Sequence, residues 1–336
     1  MPEYARRRWS SGVIAATAVL ALAGCGGTAD SAGPAPRIET AFELPGDRVY
    51  PEGIAADART GDIYVGSFAD GTIYRAVPGA ARAEVFLPGG TDGRKTANGL
   101  RVDRDGRLWV LDSTAGVAVY DIASRGLLAR FDVAGTGERF VNDIVITADG
   151  AAYITDSKTA VIYRITPDDL TRAITQGGRG ELAPAVDLKP ALEPHGPEAY
   201  TLNGITADAA GSYLLVVDST GGDLYRVELG DGASGTIGKV ALHGGDMSMG
   251  DGLELDGANL RVGQNMKNTL ARWTLTADGT SATREAVLTD VTLAVPTTLV
   301  HIDDRTLVIS SQFDKGGPLG AGTPVTPFRI LSVTGI

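Results

Sequence analysis

The chain has 336 residues, a formal net charge of −11 and a single cysteine. One cysteine excludes a disulfide framework and a cysteine-ligated metal site, and an acidic chain without a basic run is a poor partner for nucleic acid or for an anionic lipid surface. Past the N-terminus no long stretch has a 3.6-residue apolar period, so helix signals are nearly absent. Short Val, Ile, Leu and Tyr segments alternate instead with Gly and Asp-Gly, the pattern of strands and tight turns.

The first element is an address. Arg6, Arg7 and Arg8 precede a short apolar stretch from Gly12 to Leu22, and Leu22-Ala23-Gly24-Cys25 follows. The apolar run is too short to span a bilayer, and the order reads as a signal peptide over residues 1–24. Its end resembles the lipobox of bacterial lipoproteins, which makes Cys25 the expected lipidation site. The expected location is the outer side of the cell membrane, held there by the lipid alone. Residues 25–37 are small, polar and proline-containing, as suits a flexible tether.

From residue 38 to 336 one layout recurs. An apolar run opens on a polar residue, crosses a Gly or Asp turn and returns as a second apolar run. The opening segments include Pro51-Glu52-Gly53, Asn98-Gly99, Asn142-Asp143, Asn203-Gly204, Asp251-Gly252 and Thr297-Thr298. Each pair of runs is a hairpin, because Gly and Asp accept the backbone angles of its turn at least cost. Third strands such as Ile73-Tyr74-Arg75 and Val161-Ile162-Tyr163 follow, and often a fourth such as Glu84 to Leu87. The lead residues recur at 44 to 48 residues, with one interval of 61. Four strands at that period predict the blade of a β-propeller, and six leads predict six blades. The alternative, two β-sandwich domains, fits an ungapped repeat poorly.

The ends support closure. Ile38 to Pro45 reads as a fourth strand that arrives before any blade has begun, while the last unit has three, so the N-terminal strand is expected to complete the last blade and hide its edges. The long interval predicts an inserted proline-rich loop over 184–200, a partial lid on the face of the leads.

The leads Glu52, Asn98, Asn142, Asn203, Asp251 and Thr297 are scattered in sequence but converge at one channel mouth in a propeller. Five of them carry a carboxylate or amide oxygen, a donor set for a hard divalent cation, most naturally Ca²⁺, and not for zinc. Asn-Gly and Asp-Gly are also generic turn pairs, so each lead alone has a structural reading as well.

The ordered set at 51–53, 142–143, 203–204 and 251–252 resembles the senescence-marker-protein/gluconolactonase family, whose members are six-bladed propellers that bind a divalent cation and hydrolyse lactones. The resemblance implies Glu52, Asn142, Asn203 and Asp251 as metal ligands, with Asp251 also as general base or nucleophile. It implies a small lactone or ester as substrate. Asn98 departs from the family pattern; with Thr297 and His195 it is a candidate substrate contact or extra ligand. His301 lies within an expected strand, His243 in an expected loop between blades, and Trp109 and Trp273 read as packing. The related diisopropyl-fluorophosphatase makes organophosphate or aryl-ester hydrolysis an alternative, and a propeller that only binds a ligand or a protein is another.

Overall fold

The computed structural model describes residues 35–230 and 234–336. The signal peptide, Cys25 and the tether up to residue 34 lie outside the described residues. Among those described, no helix is long and apolar enough to cross a membrane.

The fold is all-β and propeller-like, built from antiparallel meanders whose innermost strands open on the lead residues. In the first, Pro51–Ala56, Ile63–Ser67, Ile73–Ala76 and Glu84–Leu87 pair in chain order. The strands read as continuous apolar runs because both faces of each sheet are covered. Side chains alternate between faces along a strand, so consecutive residues serve different cores. In Tyr213–Asp218, Leu214 and Val216 pack with Ile205 and Tyr225, while Leu215 and Val217 pack with Leu253 and Trp273. In Arg107–Asp112, Leu108 and Val110 pack backward onto Tyr64, and Trp109 and Leu111 pack forward onto Ile144.

The ends meet as expected. Arg37–Leu44 pairs antiparallel with Phe328–Thr334, beyond Arg305–Ile309 and Leu299–Ile302. Phe42 and Leu44 then share one core with Ile54 and Val65 from the first meander and with Leu307, Phe328 and Ile330 from the last. First and last units are thereby tied through both hydrogen bonds and burial.

Three features depart from the sequence reading. The described residues form five hydrogen-bonded sheets where six separate blades were expected. The reason is a parallel pairing of Arg179–Leu182 with Arg130–Val133, which joins two four-strand meanders into an eight-stranded sheet. The long interval is not only a loop: Pro167–Thr175 is an α-helix, and Pro184 lies inside the strand Arg179–Asp187. Thr166 caps that helix reciprocally with Asp169, and Pro167 occupies its first turn. Thr-Pro-Asp-Asp is thus a helix-start signal that was legible in the sequence. His243, finally, sits not in a loop but in the short exposed edge strand Ala241–His243.

Candidate active site

Each innermost strand places its lead at the end opposite its hairpin turn, and successive leads are joined in a closed cycle. Between Glu52 and Asn98 the contact is steric: a Cβ on Gly53 would collide with the Asn98 carbonyl oxygen. Gly99 donates its N–H to the Asn142 carbonyl (2.9 Å). Thr155 Oγ1 donates to the Asn203 carbonyl (2.8 Å), and Asp143 Oδ2 accepts the N–H of Ile205 (3.4 Å). A Cβ on Gly204 would collide with the Asp251 carbonyl. Gly252 donates to the Thr297 carbonyl (2.9 Å), and Thr297 Oγ1 closes the cycle onto the Glu52 carbonyl (2.9 Å). The glycines after the leads therefore serve close approach between neighbouring strands. Gly53, Gly204 and Gly252 lie within strands, and Gly99 sits at a bend immediately before one without a positive φ, so none of the four is the left-handed glycine of a tight turn.

All six leads are buried. Glu52 Oε2, Asn142 Oδ1, Asn203 Oδ1 and both side-chain polar atoms of Asn98 have no hydrogen-bond partner. An orphaned buried polar atom costs about 1–3 kcal/mol, so a cluster of them in one ring calls for a ligand. The amide N–H groups are distributed unequally. Asn142 Nδ2 donates to Ser157 Oγ (2.9 Å), and Asp251 Oδ2 accepts from Asn265 Nδ2 (2.8 Å). Asn98 Nδ2 is the one lead amide nitrogen among the described residues that is fully buried without a partner.

The electrostatics follow from crowding acids in a dry place. Burial, assisted by Asp251 and Asp143, holds the Glu52 carboxyl well above its ordinary range. Burial, with Asp143 nearby, pushes Asp251 up to about 7 against the hydrogen bond from Asn265. Burial also raises Asp143, whose Oδ1 accepts the Ile144 N–H (2.8 Å). These three acids favour protonation in isolation and ionisation beside a cation.

The donor chemistry fits a hard divalent cation: two carboxylates and amide oxygens, with the unpartnered oxygens belonging to three of the expected ligands. Among the described residues no cluster of three or more His, Cys, Asp or Glu is placed to hold a metal. Amide oxygens make up half of the expected ligand set, Asn142 and Asn203 beside Glu52 and Asp251.

Asp143 was missed as a contributor because its Asn-Asp pair reads like the Asn-Gly of its neighbours. Its distinguishing signal was a charged residue where four other leads are followed by Gly. Ser157 and Asn265, which orient two of the leads, carried no signal of their own. His195 lies outside the lead ring, sharing a hydrogen bond from Nε2 to the buried Asp218 Oδ2 (2.6 Å). His301 accepts from Arg261 Nη2 (3.2 Å) and contacts Thr306. Trp109 donates to Asp103 Oδ2 (2.9 Å), and Trp273 is fully buried, both as packing residues.

A family model described as SMP-30/Gluconolactonase/LRE-like region matches residues 50–312. No curated protein matches the sequence. Among solved structures, a gluconolactonase from Xanthomonas campestris is similar at 16% identity, with a TM-score of 0.62, over 92% of this chain and 93% of that one. A luciferin-regenerating enzyme is similar at 12% identity and a TM-score of 0.60, over 90% of this chain and 96% of that one. A virginiamycin B lyase from Staphylococcus aureus, crystallised with quinupristin, is similar at 13% identity and a TM-score of 0.53, over 90% of this chain and all of that one. These likenesses establish a shared fold.

Proposed function

The chain belongs to the SMP-30/gluconolactonase/LRE-like family, and from that membership and the lead ring we propose a divalent-cation-dependent hydrolase that opens a lactone or similar ester. The observation that carries this reading is the closed cycle of buried leads with unpartnered oxygens on Glu52, Asn142 and Asn203 beside the Asp251 carboxyl. Those four residues would hold the cation, with Ca²⁺ the best fit to a hard, oxygen-only set. Such a cation supplies polarisation of the ester carbonyl and charge to balance the oxyanion.

The protein's own groups divide the remaining work. Asp251, pushed up to about 7, is poised to accept the proton of an attacking water near neutral pH. Asn265 fixes its orientation. The unpartnered N–H donors of Asn98 meet the substrate oxygen, since the Asn142 amide already donates to Ser157. The water oxygen bonds to the carbonyl carbon, the ring C–O bond breaks, and the ring oxygen leaves with a proton as the hydroxyl of a hydroxy acid.

Two further readings belong to this proposal. The lead cycle, and cores shared between successive meanders, support a count of six blades. Lipidation at Cys25 would anchor the enzyme outside the cell membrane, and fatty-acid labelling that disappears in Cys25→Ser tests it. The test of function is proton release from a panel of lactones with Ca²⁺, with chelator, and with Asp251→Asn. Turnover that requires both the cation and Asp251 supports the hydrolase; no turnover in any state favours a binding propeller.

A further inference from the structure

Four aromatic rings stand in a row on the face of the leads. Phe313, Phe68, Phe140 and Tyr200 follow one another with centroids 5.4, 6.3 and 5.1 Å apart. Each is fixed to the chain just before a lead. Phe68 donates its N–H to the carbonyl of Tyr50 (3.0 Å), two residues before Glu52. Phe313 donates its N–H to Ser311 Oγ (3.4 Å), and Ser311 donates in turn to the carbonyl of Val295, two residues before Thr297. Phe140 lies two residues before Asn142, and Tyr200 three before Asn203. The row thus tracks the lead cycle from Thr297 through Glu52 to Asn203, and its Phe68–Phe140 step passes the position of Asn98.

Five hydroxyls of the same rim are already engaged. Ser67 Oγ donates to the Val49 carbonyl (2.8 Å), Thr201 Oγ1 to that of Ser157 (2.9 Å) and Thr220 Oγ1 to that of Tyr200 (2.7 Å). Thr96 and Ser113 bond each other (3.1 Å). A polyhydroxylated substrate needs free donors and acceptors around it, and leaves its own hydroxyls unpaired where they are missing. A planar apolar group gains from burial against ring faces and from offset or edge contacts with them. The Lys158 ammonium, 4.2 Å from the Tyr200 centroid, adds a cation beside the row.

We propose that this site selects lactones or esters carrying an aromatic or similarly planar apolar group, which packs on Phe68, Phe140 and Tyr200 with its carbonyl over the lead ring. The proposal rests on the hydrolase reading for its reaction but on the aromatic row for its substrate class. Two measurements separate them. The first compares kcat/KM for dihydrocoumarin, an aromatic δ-lactone, and glucono-δ-lactone, in Ca²⁺. The second is calorimetric binding of the non-hydrolysable lactam 3,4-dihydro-2-quinolinone. The expected results are a preference for dihydrocoumarin of at least about tenfold and lactam binding in the millimolar range or tighter. Phe140→Ala and Tyr200→Ala should each reduce both by about five- to tenfold. Tyr200 is 47% exposed, so its variant keeps the test valid if Phe140→Ala fails to fold. A preference for the sugar lactone, or an aromatic preference that Tyr200→Ala leaves intact, overturns the proposal. If neither lactone is turned over, the hydrolase reading fails. Lactam binding weakened by Tyr200→Ala then still supports an aromatic-selective site, and absence of binding removes both.

Discussion

The two ends of the repeating hairpin carry the same residue types and treat them in opposite ways. At the turn end, carboxylates are saturated. Asp103 accepts from the N–H groups of Asp105 and Arg107, from Arg107 Nε and from Trp109 Nε1, and Asp57 accepts three hydrogen bonds from Arg59. The bonds from Arg59 hold Asp57 below the ordinary carboxylate range, and Thr147 does the same for Asp149. At the lead end, Glu52 and Asp251 are raised, and the oxygens around them lack partners. A cleft of about 690 Å³ lies at the turn end among Asp103, Arg107, Thr147 and Pro167. A cavity and a cluster of unsatisfied polar atoms therefore point to opposite ends, and the second is the feature that calls for a ligand.

Four substitutions or conditions test that contrast. The largest effect is expected from Asp251→Asn, which should lower cation-dependent kcat/KM by about 10²–10³-fold in steady-state lactone hydrolysis. Next is Gly204→Ala, whose Cβ would meet the Asp251 carbonyl. It should cost about 3 kcal/mol in denaturant unfolding, or prevent folding altogether.

The third is a pH dependence of the cation-free protein. A folded-state pKa raised from 3.8 to about 7 means that Asp251 favours folding fully only below its unfolded value, and this contribution is lost as pH rises through about 7. Glu52 acts in the same direction. Thermal scans in chelator should thus show a Tm decline on the order of 3 °C from pH 5 to 8, reduced in Asp251→Asn, abolished only when Glu52 is also replaced by Gln, and offset by Ca²⁺. The smallest effect is expected at the turn end. Asp103→Asn should cost about 1–2 kcal/mol of stability through Arg107 and Trp109 and leave cation affinity unchanged. A change in cation affinity there would break the division between the two ends.

Much of this was legible in the sequence, for a physical reason. Apolar runs such as Leu214 to Val217 announce strands buried on both faces, and the lead spacing carries the repeat without any knowledge of side-chain contacts. The pairing of Arg37–Leu44 with the last strand followed from counting unpaired edges. What stayed hidden depends on geometry across the ring. Nothing in Asn98 and Asn142 as letters distinguishes the amide whose nitrogen is buried without a partner from the one whose nitrogen donates to Ser157. The aromatic row draws Phe68, Phe140, Tyr200 and Phe313 from distant segments, with no local pattern to join them. The helix at Pro167–Thr175 was missed although its capping residues were readable, because its nine residues are too few to show a period.

The central claim is that the lead ring is a cation site, and calorimetric titration of Ca²⁺ into chelator-treated protein tests it most directly, alongside Glu52→Gln and Asp251→Asn. The account predicts one site per chain, weakened by at least about tenfold in either variant and unaffected by Asp103→Asn. Absence of binding, or binding that survives loss of both mouth carboxylates, would contradict it.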